Sequence, residues 1–237
     1  MLLIWLRRSS YKSLSMANAG RPGAPVQLTY NPGVFAVDSI PAAMSIILTA
    51  EDGTTEKRWR TETPYLADLI NKHLDLSPDS WVLDYGCGIG RVAKELIARH
   101  GCQVVGVDIS PSMRALAPMY VGSDRFFSCA PAMLDGFIER GLAFDAAISI
   151  WVLQHCLFPK DDIARIKRAL RPRGKLFVMN NIDRAVPTRE IAWVNDGIDL
   201  RSELGREFTQ LAQGAPAKEH TTPIASARGF WAAFQVP

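Results

Sequence analysis

Between residues 81 and 180 the sequence alternates five short apolar runs with four stretches of helical spacing. This rhythm constrains the fold more than any other feature. Trp81-Val82-Leu83-Asp84-Tyr85 reads as a strand, and residues 90–100 as a helix with Val92, Leu96 and Ile97 on one face and Gly101 just past its end. Residues 103–108 form the second strand, and Ser110-Pro111 opens the second helix with a cap followed by a proline at the first helical position. Residues 125–128, 143–150 and 174–180 supply three further strands. The helices between them cover 131–140 and 161–170, the first stopped by Gly141 and the second by Pro172. Such alternation predicts a parallel sheet with helices on both faces, joined by right-handed crossovers.

The flanks are less regular. Residues 1–25 are polar, small and Gly/Pro-bearing after a brief apolar start, and they read as disordered. The apolar start is too short for a secretory core and its arginines follow rather than precede it, so Met16 is an alternative first residue. Residues 26–62 read as a cap or lid, with a short helix or lid over 34–48 and a turn at Glu51-Asp52-Gly53-Thr54-Thr55. Thr63-Pro64 has the form of a helix start, followed by Leu66, Leu69, Ile70 and Leu74 at helical spacing. The main domain is therefore expected over 63–237. Near its end, residues 201–213 look helical and Gly229-Phe230-Trp231-Ala232-Ala233-Phe234 looks like a last strand.

Composition removes several classes of function. The 237 residues carry 27 Lys plus Arg against 24 Asp plus Glu, a balance too even to argue for a nucleic acid or an anionic membrane as partner. No apolar stretch reaches the roughly 20 residues of a membrane span. Cys87, Cys102, Cys129 and Cys156 are scattered without a CxxC pair, which argues against a zinc site or disulfide framework and for reduced thiols in the cytoplasm; no metal is expected.

The first strand runs into Asp84-Tyr85-Gly86-Cys87-Gly88-Ile89-Gly90. An open parallel sheet binds ligands at the carboxyl ends of its strands. Glycines there allow a tight turn and let amides at a helix start approach a ligand closely. The spacing is GxGxG, with Arg91 where the dinucleotide fingerprint GxGxxG has its last glycine, so a nicotinamide oxidoreductase is disfavoured. Asp108 ends the second strand, 22 residues after Gly86. A carboxylate there can accept hydrogen bonds from both hydroxyls of an adenosine ribose.

Over residues 63–180 the chain resembles the class I S-adenosylmethionine-dependent methyltransferases. VLDYGCGIGRVAKEL and VVGVDISPSM are similar to the first two motifs of that family, and FDAAISIWVLQH and LRPRGKLFV to the fourth- and fifth-strand motifs. The resemblance implies an α/β, three-layer Rossmann-like sandwich with a seven-stranded, mostly parallel sheet and an antiparallel last strand near Phe230. It implies S-adenosylmethionine as cofactor. Gly86, Cys87, Gly88 and Gly90 would lie along its methionine part, with Asp84 orienting the loop or receiving the ammonium through water. Asp108 would hold the ribose and Ile109 pack on the adenine, while Ile150 and Trp151 would flank the sulfur. The family often has an acidic residue after the third strand; here Ser128-Cys129-Ala130 offers none, leaving backbone groups near Ala130 for the adenine.

The methyl group arrives on a sulfonium, already activated, so transfer needs an in-line nucleophile and exclusion of water. His155, just after the fourth strand, is the best-placed candidate general base, or else packs and orients its loop. His73, His100 and His220 read as surface or packing residues. Arg60 is a candidate partner for the methionine carboxylate, or simply an exposed arginine. Trp193, Trp59 and Phe35 line an acceptor pocket on one reading and belong to the core or lid on the other. No Asn/Asp-Pro-Pro-aromatic tetrapeptide occurs, which argues against methylation of exocyclic base amines. A small-molecule acceptor leads; a protein or tRNA acceptor and a regulatory cofactor-binding role are the alternatives. The sequence does not set the oligomeric state.

Overall fold

The computed structural model describes residues 28–46 and 55–237. The expected disordered lead, Leu48 and most of the 51–55 turn lie outside these residues.

The chain forms α1 (Ile40–Ser45), α2 (Thr55–His73), β1 (Trp81–Tyr85), α3 (Arg91–His100), β2 (Gln103–Val107), α4 (Pro111–Val121), β3 (Phe126–Cys129), α5 (Pro131–Glu139) and β4 (Phe144–Ile150). Then follow α6 (Pro159–Ala169), β5 (Leu170–Asn181), the small hairpin β6 (Val186–Pro187) and β7 (Trp193–Val194), α7 (Leu200–Glu207), β8 (Thr209–Gly214), α8 (Pro223–Arg228) and β9 (Gly229–Gln235). Seven strands make one sheet in the order β3-β2-β1-β4-β5-β9-β8. The first five pair in parallel, and β9 runs antiparallel between β5 and β8. Order reverses between β1 and β4, so the switch point opens at the carboxyl ends of those two strands.

Two cores lie on opposite faces of the sheet. Leu66, Ile70 and Leu74 of α2 pack with Val92 and Leu96 of α3 over Val82, Val104 and Phe177. Leu134 of α5, Ile163 and Ile166 of α6, and Leu200 and Leu204 of α7 cover Leu83, Val105, Ala147 and Val178. This three-layer, seven-stranded arrangement with an antiparallel last strand is the architecture read from the alternation and the resemblance. The caps are also as read: Ser110 Oγ accepts from the Met113 amide at 3.4 Å, and Gly101 ends α3 with φ 65°.

Three local expectations are corrected. Thr63-Pro64 does not start a helix; Pro64 lies inside α2. Thr63 is buried and its Oγ1 accepts from Arg91 Nη1 at 3.2 Å, so tertiary packing takes the side chain that a cap would have used. The helix expected over 201–213 ends at Glu207, because Phe208 turns inward against Phe234, 6.1 Å between rings, and residues 209–214 pair with β9 as the edge strand. Pro172 does not stop α6, which ends at Ala169 before β5 begins at Leu170.

Candidate active site

The turn after β1 is shaped by its glycines. Gly86 and Gly90 have φ of 83° and 84°, in the left-handed region that L side chains rarely adopt. A Cβ on Gly86 would also run into the Val152 side chain. The turn is tied to the end of β2: the Gly86 and Cys87 amides donate to Val107 O at 2.6 and 3.0 Å. Asp108 completes the tie, its carboxylate accepting from the Gly88 and Ser110 amides, both at 2.8 Å. A carboxylate has about four acceptor positions, so capacity remains for a ligand hydroxyl.

Asp84 is buried under this turn. Burial, and secondarily the nearby Asp108 charge, push its pKa up to about 7 against the opposing pull of Arg91 and the Ala93 amide. Asp108 is raised as well, first by burial, with the Ser110 and Gly88 amides pulling the other way.

A buried polar knot lies beside the turn. Glu62 of α2 is fully buried and pairs with Arg91 Nη2 at 3.0 Å. The Trp151 indole donates to the same Glu62 oxygen at 2.9 Å, and the Arg91 guanidinium sits 5.3 Å over the Trp59 ring. Trp151 has φ 61°, uncommon for a bulky residue. Its amide donates to Met179 O at 2.6 Å. Such a conformation persists only where the surroundings over-determine it, and it concentrates at functional sites.

Two cavities open here. One of about 80 Å³ is lined by Asp84, Gly86, Cys87, Gly88, Arg91 and Trp59, among others. The second, about 470 Å³, runs from Asp108 and Ile109 to His155 and Phe35, within the usual size range of small-molecule sites. Both are lined by Gly86, Ile150 and Trp151, so they meet at the switch point.

Comparison with known proteins points the same way. Residues 83–178 match a model described as a methyltransferase domain, covering β1 through most of β5 with the glycine turn and Asp108. Over this segment the chain is similar to the S-adenosylmethionine-dependent methyltransferases. It is 29% identical over 128 residues to a tRNA U34 carboxymethyltransferase of Cellvibrio japonicus, an alignment spanning 51% of this chain and 38% of that protein. It is 32% identical over 117 residues to a ubiquinone biosynthesis O-methyltransferase of Xanthomonas oryzae pv. oryzae, spanning 48% of each. The chain thus spans less than half the length of these curated relatives. Among solved structures, a geranyl diphosphate methyltransferase in complex with its methyl donor superposes with TM-score 0.57 at 18% identity, over 83% of this chain and 94% of that one. The cyclase SpnF gives the same TM-score at 19% identity, over 73% and 81%. These two likenesses show the fold alone; chemistry has to be argued from the site.

Most of the residues singled out in the sequence converge on this methyltransferase frame. Asp84, Gly86, Cys87, Gly88, Asp108, Ile109, Ile150, Trp151 and His155 line one cavity or both. Gly90 does not; it sits at the start of α3 against Val121. Ala130 lines neither, and its carbonyl accepts from the Met133 and Leu134 amides, while the adjoining Pro131 lines the larger cavity. Arg60 is exposed and lines neither cavity; the cation at the glycine turn is Arg91. The three aromatics separate: Trp59 lines the smaller cavity and Phe35 the larger, while Trp193 stands behind, 6.4 Å from Phe35 and 5.2 Å from His155 between ring centres.

His155 is committed on both ring nitrogens. Nδ1 lies 2.7 Å from Ala185 O, which can only accept, so this nitrogen carries the proton. Nε2 then accepts from the Gln154 amide at 3.0 Å. Burial lowers the His155 pKa to about 4, so the ring is neutral at pH 7. The loop around it is fixed by Arg184, fully buried, which donates to Leu153 O and Cys156 O at 2.5 and 2.6 Å and pairs with Asp196 at 2.8 Å.

Sequence reading missed Glu62, Arg91 as a site residue, and Tyr30. Arg91 carried a signal, since it directly follows the glycine turn in the first turn of α3. Glu62 carried none; only the packing of α2 against α3 brings it in.

Proposed function

We propose that the chain transfers the methyl group of S-adenosylmethionine to a small-molecule acceptor by in-line displacement. The observation that carries this is the meeting of the two cavities at Gly86, Ile150 and Trp151. A methionine tail in the smaller cavity and an adenosine in the near half of the larger one would put the sulfur at that junction. Its methyl group would then face the far half, lined by Phe35 and His155. Asp108 would accept from the ribose hydroxyls, and Ile109, 47% exposed at the rim, would cover the adenine. Arg91 and Trp59 rather than Arg60 would face the methionine carboxylate. Backbone groups near Ala130 and Pro131 remain the candidates for the adenine edge.

Rate enhancement on this reading comes mainly from positioning, worth on the order of 7–11 kcal/mol in favourable cases, and from exclusion of water. His155 holds its loop as a neutral ring and does not take the acceptor's proton.

Titrating the protein with S-adenosylhomocysteine tests the reading. Wild type binds, and Gly86→Ala loses binding by at least an order of magnitude, because a Cβ displaces Val152 and strains a positive φ. Equal affinities would sink the turn assignment. A tRNA acceptor is the second reading, favoured by the similarity to tRNA U34 carboxymethyltransferases. Transfer of labelled methyl groups to bulk tRNA, absent with small molecules, would favour it.

A further inference from the structure

Resting on the methyl-transfer reading of the same site, we propose that the far half of the larger cavity takes an uncharged aromatic hydroxy compound and that the Tyr30 hydroxyl is its specificity-determining hydrogen-bond donor.

Tyr30 comes from a strap within the segment read from the sequence as a cap or lid. It forms a bridge with Thr188, and the Asn31 amide donates to Pro187 O at 2.9 Å. The Arg189 amide donates to Thr29 O at 3.0 Å, and the Thr29 amide to Glu190 Oε2 at 2.8 Å. The strap is thus held on both sides of Tyr30 against the 186–190 segment. Tyr30 lines the larger cavity. A side chain on so fixed a backbone is pre-organised for a ligand.

Tyr30 differs from the other phenol there. Tyr85 OH is spent: it donates to Asp162 and accepts from Arg165 Nη1 at 3.0 Å. Among the described residues no hydrogen-bond partner meets Tyr30 OH. Burial first, then the nearby Cys156 and Asp162, push the Tyr30 pKa up to about 12. The phenol therefore stays protonated and donates. A donor without a protein partner discriminates strongly, because a ligand without a matching oxygen leaves it unpaired.

Charge limits the ligand further. Asp161 and Asp162, near the start of α6, line the larger cavity together with Arg165. The Arg165 guanidinium is already engaged with Asp135 at 3.0 and 3.2 Å and with Asp162 at 3.0 Å. With His155 neutral, the wall offers an anion two carboxylates and no uncommitted lining cation. Phe35, Phe158 and Trp151 offer ring faces and edges instead. A hydroxyl ortho to the attacking one would reach Tyr30 while its neighbour faces the sulfur. In the transfer the acceptor O–C bond forms as the C–S bond breaks, S-adenosylhomocysteine leaves, and the acceptor's proton passes to water at the cavity mouth.

The test is calorimetric titration with 4-methylcatechol and with 3,4-dihydroxybenzoate, which differ at pH 7 by one carboxylate, each with and without S-adenosylhomocysteine. The expected result is binding of 4-methylcatechol at least ten-fold tighter than the benzoate. Tyr30→Phe should weaken 4-methylcatechol by about ten-fold, as loss of one hydrogen bond implies, leaving S-adenosylhomocysteine affinity and thermal stability unchanged. Equal affinity for the two probes, no binding of either, or an unaffected Tyr30→Phe would overturn the proposal. Binding of S-adenosylhomocysteine in the same series reports on the methyl-donor reading separately.

Discussion

Replacing Asp84 by asparagine should stabilise the protein at neutral and alkaline pH, and the gain should grow with pH in a defined window. The ordinary aspartate value of 3.8 is raised to about 7 in the folded chain, with burial as the largest cause. A folded pKa above the unfolded one means that the native state keeps a proton the unfolded chain has lost. Stability is then full below about pH 4 and declines as pH rises to 7. The whole difference corresponds to about 4 kcal/mol, of which about 3 kcal/mol falls between pH 5 and 8. The substituted side chain has no proton to lose, and its amide oxygen can still accept from the Ala93 amide. His155 has the opposite sign: its folded pKa of about 4 lies below 6.5, so its contribution is lost as pH falls through that interval. That term is common to both proteins and cancels in the difference. Urea denaturation of wild type and Asp84→Asn at pH 5, 6, 7 and 8 gives the curve. A stability difference that is flat with pH, or that favours wild type increasingly toward pH 8, would refute the reasoning.

Other outcomes follow from the same contacts. Glu62→Ala leaves the Arg91 guanidinium buried without its carboxylate and should destabilise by about 3–5 kcal/mol, read as a lowered urea midpoint with unchanged slope. Arg184→Ala removes donors from Leu153 O and Cys156 O and should cost a similar amount, with hydrogen exchange accelerated at 153–156 and not in α3. The pH profile of kcat/KM should show no ionisation between pH 6 and 7 assignable to His155, and His155→Asn should retain activity within about ten-fold; a loss of 10²-fold or more at unchanged stability would restore the general-base reading.

The central domain was legible because each of its elements repeats one local rule. Strand runs, Gly101 and the Ser110-Pro111 cap act within a few residues, and the structure places them as read. Asp108 was legible for the same reason, since its place at a strand end follows from the strand itself. The failures are non-local. Thr63-Pro64 carries a correct cap signature, but Arg91, 28 positions away, claims the threonine. Residues 209–214 have no strand alternation of their own and become one through β9. Arg60 was the cation chosen from the sequence, and only the placement of α2 and α3 shows that it is exposed while Arg91 lines the cavity at the turn. Tyr30 was invisible because its position depends on pairing with residues more than 150 positions later.

The most direct test of the methyl-donor site is a crystal structure with S-adenosylhomocysteine bound. The expected result has the ribose hydroxyls on Asp108, the carboxylate in the cavity walled by Arg91 and Trp59, and the sulfur at the junction of Gly86, Ile150 and Trp151. A ligand lying elsewhere, or a sulfur turned away from the Tyr30 side of the larger cavity, would contradict it.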